Sequence, residues 1–333
     1  MSNTSTPRRR TQLANTLREA TTSHVPRVWL AALVVGVLAG YAAIGFRLAI
    51  GGVQFLWIGE TEENLFRFLA DAPAWLIVAG PTTAGLIVGL WITYVQPGNR
   101  AEGVADIIEA RAIGQGRMPL RKGLGSAFIA IVSLGGGASA GREGPAVHLG
   151  ATLGSFLAAR LGFGPTHMRT LLAAGAASAV AASFNAPIAG VLFALEVVLG
   201  HYALRASGPI VIASVTGALL ARFPIGASPT FVIPDYMIAS LFDFPAFALL
   251  GVVCAGVSIA FMTTAMYTDD IARRITMPLW LRPVLGGLIV GLIGIWFPQV
   301  MGVGYAATDA ALQGQFGLML LLTLIALKIV ATA

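Results

Sequence analysis

The stretch GGGASAGREGPAVHLG, residues 135–150, sets two adjacent charges, Arg142 and Glu143, among glycines and alanines in a strongly apolar chain. Charge at membrane depth costs enough to need a reason. The local chemistry supplies one. Gly135, Gly136, Gly137, Gly141 and Gly144 permit backbone conformations closed to other residues, and Pro145 suits the first position of a helix. The N–H groups of a first helical turn have no partner within the helix, and the macrodipole adds positive potential there. A glycine-rich loop opening a helix is therefore an anion site built from backbone. Tight helix–helix turns also use glycine, so the pattern alone leaves a structural ion pair open. On the anion reading, Glu143 is a tethered anion that competes for the site while charged and swings away once protonated. Such a group is a gate that voltage, pH and anion concentration can all bias.

The rest of the chain fits a membrane setting. Of 333 residues, 56% are hydrophobic and 11% charged, with a mean hydropathy of +0.81, whereas soluble domains carry about 25% charged residues. Apolar segments fall at roughly 28–58, 75–95, 123–141, 145–162, 170–200, 207–221, 244–268, 283–301 and 315–333. Some can cross the ~30 Å hydrocarbon core and others are too short. Short, glycine-broken segments at membrane depth require surrounding protein or a water-filled cavity, which predicts re-entrant half-membrane helices.

The net charge of +6 is explained by orientation rather than by nucleic acid. Arg8, Arg9, Arg10, Arg18 and Arg27 precede the first span, and Arg100, Arg111, Arg117, Arg121 and Lys122 follow the second. The connection between these spans carries Glu60, Glu62, Glu63 and Asp71. The positive-inside rule then places the N-terminus and 96–122 in the cytoplasm. No cleavable signal is read at the start, and residues 1–27 are taken as a polar cytoplasmic tail. Cys254, the single cysteine, is expected to be a packing residue. No His, Cys, Asp or Glu grouping has metal-ligand spacing, so neither a metal nor a cofactor is expected. His148, His167 and His201 are read as helix-surface or headgroup residues.

GLIVGL occurs at 85–90 and again at 287–292. Gly103-Val104-Ala105-Asp106 follows the first copy, and Gly302-Val303-Gly304-Tyr305 with Ala307-Thr308-Asp309 follows the second. A duplication is the better explanation, and internal repeats are a hallmark of transporters. The expected organisation is a first transmembrane repeat over 28–222 and an incomplete second over 240–333, the chain ending at Ala333 inside an apolar segment.

GREGP at 141–145 together with FNAPIAGVLFALE at 184–196 resembles the CLC chloride channel and transporter family, including its bacterial voltage-gated members. The likeness runs from about residue 28 to the end of the chain. It implies an all-α multispanning fold of tilted helices in two inverted repeats. It also implies a homodimer with one pore per subunit in a bacterial-type plasma (inner) membrane, and chloride or a similar small anion as ligand. Glu143 matches the family's gating glutamate. Gly141, Arg142, Gly144 and Pro145 match its anion-binding loop, with Glu102 and Gly103 at a second anion position. Further pore-lining amides and a tyrosine hydroxyl would follow LKIVATA, residues 327–333.

Two departures bear on function. Where the family has Gly-Ser-Gly-Ile-Pro, this chain reads Ala101-Glu102-Gly103-Val104-Ala105, and an ionised carboxylate repels an anion. Either Glu102 turns away and backbone N–H groups do the work, or it is protonated, or selectivity is altered; the first is preferred. At ALEVV, 194–198, proton-coupled members carry two consecutive glutamates, whereas here Glu196 is followed by Val197. Valine carries no proton, so the resemblance favours passive conduction over chloride/proton exchange. Glu196 itself is expected to be buried and structural. A membrane enzyme using 135–145 as a phosphate cradle lacks a neighbouring general base, and a non-conducting subunit remains a third reading.

Overall fold

The computed structural model describes residues 25–61, 65–202, 204–226, 241 and 243–333. The arginines at 8, 9, 10 and 18, and Glu62 and Glu63, lie outside the described residues, as does the boundary expected between 222 and 240. The described residues form helices joined by short loops, with no strand among them. In chain order they are α1 (Val25–Ile58), α2 (Leu65–Asp71), α3 (Ala74–Tyr94), α4 (Val104–Ala112), α5 (Leu120–Gly135), α6 (Glu143–Arg160) and α7 (Pro165–Phe184). Then come α8 (Pro187–Phe193), continued by a π-helical turn over Ala194–Leu199, α9 (Leu204–Ile225), α10 (Asp243–Arg274), α11 (Leu281–Trp296), α12 (Tyr305–Leu312) and α13 (Leu318–Thr332). Segments of α1, α3, α9 and α10 are long and apolar enough to cross a bilayer, while α11 and α13 are shorter apolar helices. The expected mixture of membrane-length and shorter apolar helices is present.

The residues divide into two compact units. The first comprises Met1–Ile44, Glu102–Gly123 and Ala146–Ala227. Its centre is α7, where the run from Leu171 to Ala182 is buried throughout. Small side chains make that possible. A Cβ at Gly150 would collide with the carbonyl of Gly175, one at Gly175 with the carbonyl of Gly150, and one at Gly36 would stand 2.9 Å from Ala213 Cα. Backbones thus meet without intervening side chains, as in membrane helix pairs. Ser178 ties α7 to α1 by donating to the Gly36 carbonyl at 2.8 Å.

The apolar run 170–200, which reads as one segment, is broken. Asn185 takes a left-handed conformation (φ 52°) at the end of α7, and Pro187 opens α8. Asparagine tolerates that conformation and proline cannot extend the preceding helix.

The second unit comprises Gly45–Ala101, Leu124–Pro145 and Ser228–Ala333. The two GLIVGL copies lie on α3 and α11, and they pack on each other. A Cβ at Gly85 would run into the carbonyl of Pro283, and one at Gly287 into the carbonyl of Pro81. A Cβ at Gly89 would meet the Trp280 carbonyl in the same way, and one at Gly291 would stand 2.8 Å from Val78 Cα. Each contact has its counterpart at the matching position of the other copy, the signature of a two-fold relation. Each copy is followed by a short helix entered from a glycine N-cap, Gly103 before α4 and Gly304 before α12. No described residue of α10 is buried, and Cys254 is exposed on it, so its side chain is not a core packing residue.

Candidate functional site

Helix α6 begins at Glu143, two residues before the expected start at Pro145. Proline costs nothing there, because the first four N–H groups of a helix have no partner within it. Gly144 and Pro145 complete the first turn. Glu143 curls back over the loop: a Cβ at Gly141 would stand 2.7 Å from Glu143 Oε2. That explains Gly141 sterically. Of the five glycines expected to need unusual backbone angles, only Gly137 has a positive φ, at 96°. Gly135 and Gly136 are small because Val53 and Ala84 press against them.

The other carboxylate oxygen is held from far along the chain. Tyr305, at the start of α12, donates its hydroxyl to Glu143 Oε1 at 2.6 Å. The buried Arg142 guanidinium lies 4.4 Å from the centre of the Tyr305 ring, a cation–π distance. Arg142 and Glu143 therefore share one aromatic partner, the ring serving one and the hydroxyl the other.

The loop carrying these charges is fixed on several sides. Trp57 Nε1 donates to the Gly135 carbonyl at 2.7 Å, and Gly302 N donates to the Gly137 carbonyl at 3.1 Å. Ser139 and Thr332 hydroxyls lie 3.2 Å apart. Lys328 secures the facing loop, donating to the carbonyls of Val300 at 2.9 Å and Gly302 at 3.1 Å. It thus grips main-chain oxygens that the turn leaves without helical partners, not a carboxylate. Sequence reasoning missed Tyr305 as a site residue. Its only signal was its place in the second GLIVGL-linked motif.

In the first unit, Glu102 sits between a lysine and a histidine. Its side chain is 9% exposed, with Lys122 Nζ 2.9 Å from one oxygen and His148 Nε2 3.5 Å from the other. His148 is 1% exposed, which corrects its reading as a helix-surface residue. It lies on a buried face of α6, near the Glu102 carboxylate. Gly103, at the N-cap of α4, donates its N–H to Asp106 Oδ2 at 2.7 Å. The side chain of this same helix has therefore claimed one amide that an anion would otherwise use.

Glu196 and Val197 fall in the π-helical turn. Glu196 is exposed, not buried as expected, and accepts a hydrogen bond from the Tyr202 hydroxyl at 3.3 Å. A π-turn inserts one residue into the helical register and swings the side chains in it off the core-facing stripe.

Membrane-length helices, backbone-to-backbone packing of two repeats and a carboxylate curled over a glycine loop at a helix start together define a multispanning helical membrane protein of the ion-transport class. Residues 84–333 match the family model described as voltage gated chloride channel, and the chain belongs to that CLC family. It is 30% identical over 304 residues, 90% of its length, to a ClcB-like chloride channel protein of Ralstonia nicotianae, covering 71% of that protein. A slow cyanobacterial Cl⁻/H⁺ antiporter shares the fold with a TM-score of 0.76 at 22% identity, over 93% of this chain and 74% of that one. A CLC-type fluoride/proton antiporter gives a TM-score of 0.74 at 25% identity, over 92% and 75% of the two chains. Members of the family are channels or transporters of small anions rather than enzymes.

Proposed function

We propose that this protein conducts chloride, or a similar small anion, passively across the membrane, and that the Glu143 carboxylate is its gate. The observation carrying this reading is the placement of Glu143 in the first turn of α6, over Gly141 and against the Tyr305 hydroxyl. An anion drawn to that turn meets a carboxylate already in its place. Protonation or competition by the anion then shifts the equilibrium towards a displaced side chain. Gly141, Gly144 and Pro145 shape the seat, and Arg142 fixes the ring that holds the gate. Gly103 and Glu102 form a second anion position in which Lys122 offsets the carboxylate. The contact of Lys122 with Glu102 supports neutralisation by pairing, which is none of the three readings expected for that carboxylate.

The wider assignment follows the family: a homodimer with chloride as its ligand, in a bacterial-type inner membrane with the N-terminus cytoplasmic. Residues 28–222 and 240–333 are its two related transmembrane parts. The decisive test replaces Glu143 with Gln in purified, liposome-reconstituted protein. Chloride flux is expected to rise or to lose its pH dependence. Flux equal to the parent protein in both size and pH profile would overturn the assignment.

A second reading, chloride/proton exchange, rests on the exposure of Glu196. A carboxylate left uncovered by the rest of the chain beside Val197 can take up protons even though Val197 cannot. Simultaneous chloride and proton measurements separate the two. Proton movement driven by a chloride gradient, abolished in Glu196→Gln, would establish exchange.

A further inference from the structure

A second cavity, apart from the Glu143 and Glu102 positions, has a basic lining with no acidic member among the described residues. It lies within the first unit, between the last turn of α4, the first turns of α7 and the turn after the π-helix. Its volume is about 590 Å³, and Arg111, Thr166, His167, Arg169, Thr170 and His201 supply its polar lining. No acidic residue lines it among the described residues.

Neither Arg111 nor Arg169 forms an ion pair with any described residue. Arg169 Nε is buried without a hydrogen-bond partner, and the Arg111 guanidinium lies against the backbone at Gly200. Thr166 and His167 occupy the first turn of α7, where backbone N–H groups have no partner within the helix.

Two guanidinium groups with no acidic partner among the described residues, facing one hollow beside a helix start, make that hollow a place for an anion. The nature of that anion follows from the donors. Guanidinium forks match the paired oxygens of a phosphate, and helix starts bind phosphate well. A lone halide would use one donor edge and leave most of the cavity empty. We propose that this cavity binds a phosphate monoester, with Arg111 and Arg169 gripping the dianion and His201 at its rim. Arg111 belongs to the stretch 96–122, expected to face the cytoplasm, where both free phosphates and phosphate-bearing lipid headgroups are found. The site is independent of the anion pathway proposed above.

Titration of detergent-purified full chain with inorganic phosphate in chloride-free buffer tests the soluble source. Thermal unfolding in nanodiscs with and without phosphatidic acid tests the headgroup source. Saturable phosphate binding, weakened about tenfold or more in the Arg111→Gln/Arg169→Gln double variant, supports a soluble ligand. A rise in unfolding midpoint with phosphatidic acid, seen in the parent protein and absent in the double variant, supports a headgroup.

His201→Gln, at an exposed position where folding is not at stake, is expected to weaken whichever ligand binds by a few-fold. Parent protein that binds neither probe overturns the proposal. So does binding unchanged in both the double variant and His201→Gln.

Discussion

A carboxylate in a first helical turn is favoured there whatever else touches it, so what singles out Glu143's orientation is the Tyr305 hydroxyl. Tyr305→Phe removes that donor and leaves the ring for Arg142. Hydrogen bonds to charged groups contribute about 1.5–3 kcal/mol, enough to raise the displaced fraction of the carboxylate about tenfold or more. Chloride efflux from liposomes is expected to quicken towards that of Glu143→Gln, and a parent-like rate would show that the hydroxyl does not hold the gate. Glu102 gives a second test. Lys122→Met leaves its carboxylate with less compensation and is expected to slow anion passage, while adding Glu102→Gln restores it. A double variant as slow as the single one would assign Lys122 a purely structural part. The charged pair at 142–143 was legible because charge is expensive in apolar surroundings. Tyr305 was not, since 162 residues separate it from Glu143. His148 was misjudged because an isolated histidine carries no spacing signal, and only the fold brings Glu102 to it.

Among the elements, α3 and α11 depend on glycine where their backbones touch. Gly287→Leu forces a side chain into the carbonyl of Pro81, and such overpacking costs roughly 1–3 kcal/mol or more. The adjacent Gly286 has open space around its Cβ position, so Gly286→Ala is expected to be neutral or to stabilise by about 0.5–1 kcal/mol through helix propensity. Thermal unfolding in detergent reads both, and equal midpoints for the two variants would contradict the packing. Element lengths were visible in hydropathy, and the matching hexapeptides announced the repeat. The break at Asn185 and the π-turn after it were not visible. Both occur within an unbroken apolar run, where periodicity cannot separate one buried helix from two.

At the scale of the whole molecule, the absence of a carboxyl group at Val197 bears on energetics rather than on structure. A passive conductor carries chloride down its gradient and leaves protons where they are. Under an imposed chloride gradient, proteoliposomes are expected to lose chloride without a change in internal pH. Stoichiometric proton uptake would transfer the chain to the exchanger side of its family. Family and fold were readable from two short motifs, because both sit at helix junctions where few sequences satisfy the geometry. The mode of transport was not, since it depends on which groups reach water.

The reciprocal seam between α3 and α11 has one further effect. The atoms barring growth at Gly85 and Gly287 are carbonyl oxygens of the opposite helix, and no exchange of side chains across the seam can make room. Each copy of the hexapeptide is thus the mould for the other. Drift at a glycine of either copy is rejected by its twin, and that mutual constraint accounts for the glycines that the two distant stretches share.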